Sequence, residues 1–148
     1  MSNNPIDSGN INQVAPFFLV SEMERSVKFY TEGLDFVIKY KWIVDGKLEW
    51  CWMERDGASM MLQEFKPHNN RTWASLGTVG SGVSLCFICK DAIAIYRELQ
   101  SRGIEVTEPQ VGNSMWEVCL ADPDGYKLTF ESPTDVPEET KLSELKPA

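Results

Sequence analysis

Histidine is nearly missing from this chain: His68 stands alone among 148 residues. A transition-metal centre built on imidazoles is therefore short of ligands from the outset. Basic charge is scarce too. Fourteen Lys and Arg face 22 Asp and Glu, for a formal net charge of −8. That excess argues against a nucleic-acid partner and leaves a cationic small molecule open. Asp135, Glu138, Glu139 and Glu144 against Lys141 and Lys146 leave only −2 in the C-terminal stretch, so the body of the chain carries the rest. Acidity for solubility alone would look the same. Long apolar runs are absent, and the polar N-terminus has no signal-peptide core, so no membrane span and a cytoplasmic protein are expected. Cysteine is confined to Cys51, Cys86, Cys89 and Cys119, all within strand-like apolar runs. The expectation is reduced, buried thiols and no disulfide framework.

What is present is organised around Asp122-Pro-Asp-Gly-Tyr-Lys-Leu-Thr-Phe-Glu131. Pro123 pre-sets φ and Gly125 tolerates a positive one, so the segment reads as a tight turn feeding a strand. Side chains alternate along a strand. Leu128 and Phe130 then belong to a core face, and Lys127, Thr129 and Glu131 to the other. The same logic appears earlier in Asp56-Gly-Ala-Ser-Met-Met-Leu-Gln63. Gly57 matches Gly125 and Gln63 matches Glu131 at an offset of 68, while Ala15 matches Ser84 at 69. Two copies of one supersecondary unit in so short a chain predict a pseudo-twofold domain.

Taken in order, residues 1–12 read as a loose polar arm and Gln13 to Val20 as a strand. Ser21-Glu-Met-Glu24 has the form of a capping box. Met23, Val27, Tyr30 and Leu34 follow at helical spacing, with Gly33 as the stop. Strands are expected at Phe36 to Val44, Leu48 to Arg55 and Ala58 to Phe65, joined by hairpin turns at Asp45-Gly46 and Asp56-Gly57. Lys66 to Ser81 links the copies. A strand at Gly82 to Cys89, a helix capped by Asp91 and closed by Gly103, a short strand at Ile104 to Thr107, and a hairpin of Ser114 to Ala121 with Tyr126 to Glu131 complete the second. The order is βαβββ twice. The domain is expected over 13–132, with modules at about 13–65 and 82–132, and a charged, proline-broken tail over 133–148.

That order, with Ser21-Glu-Met-Glu-Arg-Ser-Val-Lys-Phe-Tyr30 after the first strand and Asp122-Pro-Asp-Gly…Glu131 at the end, resembles the vicinal oxygen chelate superfamily. Glyoxalase I, the extradiol dioxygenases, the fosfomycin-resistance enzymes and the bleomycin-resistance proteins belong to it. The resemblance covers about Val14 to Ser132 and implies an α+β fold: two curled mixed sheets, each a half-barrel around a pocket with a helix outside, commonly in a homodimer. Carried over, the metal-ligand positions of that family fall at Ala15, Gln63, Ser84 and Glu131. Ala15 cannot ligate and Ser84 is a poor neutral donor, so one carboxylate and one amide remain, too few for a transition metal. No cofactor is expected. Cys86 and Cys89 do not rescue a metal, because three residues apart on one strand they point to opposite faces.

A two-residue turn at Asp56-Gly57 puts Trp50 opposite Gln63 and Trp52 opposite Met61, and opposed residues share a face. Placing Ala121 opposite Tyr126 puts Trp116 opposite Glu131. The expected pocket is then lined by Phe17, Trp50, Trp52, Met61, Gln63, Ser84, Cys86, Trp116 and Glu131. A one-residue bulge would reverse either hairpin, and the same aromatics would also suit a plain core. The Ala15-Pro-Phe-Phe strand resembles that of the bleomycin-resistance members, which implies metal-free sequestration of a planar or cationic ligand. Two alternatives stay open: a divalent-metal lyase, isomerase or dioxygenase using Glu131 and Gln63 with waters, and metal-free catalysis with Glu131 as general base.

Overall fold

The computed structural model describes residues 9–64 and 78–145; His68 and most of the linker lie outside them. In order, the elements are β1 (Phe17–Val20), α1 (Met23–Lys28), β2 (Val37–Val44), β3 (Lys47–Arg55), β4 (Ala58–Glu64), β5 (Ser84–Ile88), α2 (Ala92–Ser101), β6 (Gln110–Gly112), β7 (Met115–Ala121) and β8 (Lys127–Pro133). They form two four-stranded mixed sheets, ordered β1-β4-β3-β2 and β5-β8-β7-β6, and no closed barrel. The βαβββ order is present twice. Leu19 pairs with Gln63 in the first sheet and Ile88 with Glu131 in the second, which reproduces the 69- and 68-residue offsets. Among the described residues no helix is long and apolar enough to cross a membrane.

Each sheet turns one face to a shared core. Phe18, Val20, Cys51, Met53, Met60 and Leu62 supply it from the first sheet, Val111, Trp116, Val118, Leu120, Leu128 and Phe130 from the second. Met23, Tyr30 and Leu34 from the first helical segment and Ala92 and Leu99 from α2 cover it. Helical spacing placed those residues correctly, but α1 gives way to a wider π turn over Phe29–Gly33. The expected capping box does not form. Glu22 is the N-cap and makes no side-chain cap bond. Ser21 Oγ instead donates to Asp124, and the Met23 N–H goes to the Glu64 carboxylate at 2.9 Å. Tertiary partners satisfy the helix start that a local box would otherwise serve. Asp91 caps α2 as expected, accepting from Ala94 N at 3.0 Å.

Three further expectations need correction. Ile104 to Thr107 is not a strand; Thr107 makes paired bonds with Cys119 beside β7, and the edge strand comes later, at β6. The segment after Pro133 is a strap. Its backbone bonds to Pro109 and Val111, and Glu138 accepts the N–H groups of Asn113 and Ser114 at 2.9 and 2.6 Å. Of the four thiols only Cys51 is buried; Cys86 and Cys119 are exposed.

Candidate functional site

The first hairpin has the expected register. Arg55 pairs with Ala58, so the turn holds two residues, and Asp56 adopts a positive φ of 49° within it. Trp50 therefore lies opposite Gln63 and Trp52 opposite Met61. The parallel pairing of β1 adds Phe17 beside Met61 and Leu19 beside Gln63. On the other side, Trp42 lies opposite Trp50 and Tyr40 opposite Trp52. Two transverse rows result on the sheet face away from the core: Phe17, Met61, Trp52 and Tyr40 in one, Leu19, Gln63, Trp50 and Trp42 in the other. Trp42 and Tyr40 are 58 and 57 % exposed. Sequence reasoning missed both. The Asp45-Gly46 turn sets Val44 opposite Lys47, which carried on would put Trp42 opposite Glu49 and Tyr40 opposite Cys51. An extra residue at Glu49 shifts the pairing and brings both onto the open face, and turn chemistry does not announce it.

The second hairpin is shifted by one residue from the expectation. Ala121 pairs with Lys127, so Trp116 lies opposite Ser132 and not Glu131. Trp116 faces the helix-side core and is 6 % exposed. The cause is Asp122. Its Oδ1 accepts the N–H groups of Asp124 and Tyr126, each at 2.9 Å, and its backbone N–H bonds Tyr126 O. The side chain thus organises a longer loop than the backbone turn alone would, and one added residue flips the whole of β7. Burial pushes the Asp122 carboxyl upward.

With β7 flipped, Glu117 stands opposite Glu131 and Cys119 opposite Thr129. Ser84 and Cys86 join this face from β5, with Ser84 Oγ 3.5 Å from Thr129 Oγ1. On this second face, Glu117 and Cys119 are the residues the sequence reading missed. Burial, then the neighbouring Glu131 and Glu138, raises the Glu117 carboxyl above its usual range. Burial and a hydrogen bond to Glu131 push the Cys86 thiol up to about 11, so it is a poor nucleophile at neutral pH. The nine expected residues are therefore divided. Phe17, Trp50, Trp52, Met61 and Gln63 share the aromatic face of the first sheet. Ser84, Cys86 and Glu131 share the polar face of the second. Trp116 is in the core.

Two hollows adjoin these faces. One of about 640 Å³ is lined by Phe17, Leu19, Val79, Val83, Leu85 and Tyr126 between β1 and the start of β5. Another of about 630 Å³ lies over Ser84, Thr107, Cys119, Lys127 and Thr129. Of the four carried-over ligand positions, Ala15 and Gln63 lie in the first module and Ser84 and Glu131 in the second, and among the described residues no three His, Cys, Asp or Glu side chains converge.

The paired modules, their registers and their separate open faces can be set against known proteins. The model of the Glyoxalase/Bleomycin resistance protein/Dioxygenase superfamily matches residues 10–130. Among solved structures, TnmS3, an antibiotic binding protein from Streptomyces sp. CB03234, is 23 % identical with a TM-score of 0.66; the match covers 85 % of this chain and 99 % of that one. The bleomycin resistance determinant encoded on the transposon Tn5 is 20 % identical with a TM-score of 0.62, covering 85 and 100 %. Hypothetical protein SA1046 from S. aureus is 21 % identical with a TM-score of 0.65, covering 87 and 99 %. At these identities the likeness is one of fold. No curated protein sequence matches the chain. The family match spans both modules, from before β1 to within β8, and with it the chain belongs to the glyoxalase/bleomycin resistance protein/dioxygenase superfamily.

Proposed function

We propose that this chain is a metal-free small-molecule-binding protein that sequesters a flat aromatic ligand on the open face of its first sheet. The observation that carries this reading is the block of Tyr40, Trp42, Trp50 and Trp52, paired across β2 and β3 and turned away from the core. Aromatic side chains supply large, rigid apolar area that stacks well on planar rings. The ligand needs only to be held; no bond is made or broken. Two similar folds support the reading, one described as antibiotic binding and one as a bleomycin resistance determinant. The acidic balance favours a cationic ligand over an anionic one. A second copy in a homodimer would cover the exposed face and exclude water from it.

Tryptophan fluorescence tests this. A planar heteroaromatic should quench it on binding, and Trp52→Ala should weaken binding. Covering about 100 Å² of indole is worth on the order of 2 kcal/mol, roughly a thirtyfold change in Kd. An unchanged Kd in Trp50→Ala and Trp52→Ala would refute the site. Stoichiometric zinc, iron or manganese that survives dialysis would refute the metal-free reading.

A further inference from the structure

We propose that Lys39 and Glu54 form a cation selector at the border of the aromatic face. Lys39 occupies the place that a ligand's own cationic group takes, so the preferred ligand is a flat aromatic cation that displaces it. This rests on the reading of the aromatic face as the ligand surface.

Four observations meet at this spot. The pairing of β2 with β3 slips between Ile38 and Tyr40: Ile38 lies opposite Met53 and Tyr40 opposite Trp52, which leaves Lys39 as the extra residue of a bulge. Bulges re-aim side chains and gather beside functional sites. Here the Lys39 ammonium lies 5.6 Å from the centre of the Tyr40 ring. It also lies 3.4 Å from the Glu54 carboxylate. That carboxylate accepts the Trp52 indole N–H at 2.9 Å. One anion thus holds the indole in place and faces a cation resting on the neighbouring ring.

The arrangement is that of an ammonium bound against an aromatic wall, supplied by the chain itself. Exposed ion pairs and exposed cation–π contacts are weak, so this one exchanges readily. A ligand that joins a cation to a planar ring replaces both contacts and adds stacking on Trp50 and Trp52, which a lysine stem cannot do. Glu54 is suited to the exchange. The Trp52 hydrogen bond, and then Lys39, hold its carboxyl below the usual range, so it stays anionic.

The test compares N-methylacridinium, a permanent flat cation, with acridine in mildly alkaline buffer, where it is neutral and nearly the same shape. Both are titrated by tryptophan quenching against the wild type, Glu54→Gln and Lys39→Met. Glutamine keeps an acceptor for the Trp52 indole and removes the charge. Methionine keeps the apolar stem and removes the competitor. Glu54→Gln should weaken N-methylacridinium about tenfold, and Lys39→Met should tighten it about threefold. Acridine should respond to neither. An unchanged cation affinity in Glu54→Gln, or a loss in Lys39→Met, overturns the selector. If both compounds bind alike and neither substitution matters, the selector falls and the aromatic site stands. If neither compound quenches, both fall.

Discussion

Glu117 and Glu131 oppose one another directly on β7 and β8, and no ion pair engages either among the described residues. Like charges in that position destabilise a sheet. The raised Glu117 carboxyl gives the effect a pH signature. A carboxyl whose folded-state pKa is raised holds its proton more tightly folded than unfolded. Its contribution to stability is therefore fully present below the unfolded value and is lost as pH rises through the folded one. Glu117→Gln, which cannot ionise, should melt higher than the wild type at neutral pH, by on the order of 2 °C. The gap should shrink or reverse in acid below the unfolded carboxylate value of 4.5. Melting curves at the two ends of that range check it; a gap independent of pH would show that the pair is already screened by solvent.

At the scale of elements, the strap after β8 covers the outer edge of the second sheet, where β6 would otherwise offer unpaired backbone groups. Removing residues 134–148 should uncover Val111, break its backbone bonds to Glu139 and Thr140, and leave the Asn113 turn without Glu138. The expected cost is on the order of 2–3 kcal/mol, read from the urea midpoint, with light scattering rising with protein concentration. An unshifted midpoint would make the strap passive. β2 guards its own edge differently, with a bulge at Lys39 and the exposed Lys39 and Lys41. How legible each element was followed from what sets its register. The Asp56-Gly57 turn is made by backbone alone, so dipeptide chemistry sufficed to put Trp50 and Trp52 on the open face. The Asp122 loop is built by a buried side chain, and local spacing does not announce that, so Trp116 was assigned to the wrong face. The strap was unreadable for a related reason. Its order comes from long-range partners and not from periodicity, as with Ser21, whose local motif lost to Asp124.

At the scale of the whole molecule, the modules are joined by polar and aromatic contacts as well as by the shared core. Tyr30 Oη donates to the buried Asp122 carboxylate at 2.7 Å. Phe18 stacks on Tyr126 with ring centres 3.9 Å apart. Arg55 reaches Leu34 O and Glu98, and Arg102 reaches Gly33 O and Asp35. Tyr30→Phe removes one partner of a buried carboxylate and should cost about 1–3 kcal/mol in chemical denaturation. Both modules should still unfold in a single transition; two separate transitions would show that the joint does not couple them. The same joint bears on how the chain is made. Tyr30 and Asp122 are 92 positions apart. At about 5–20 residues per second of synthesis, the hydroxyl waits roughly 5 to 20 s for its acceptor. Until then Phe18 also lacks Tyr126, and the first module stands on the ribosome with its inner surface uncovered. Nascent chains halted before Asp122 should remain open to protease and to chaperones, although all four strands of the first sheet have already emerged.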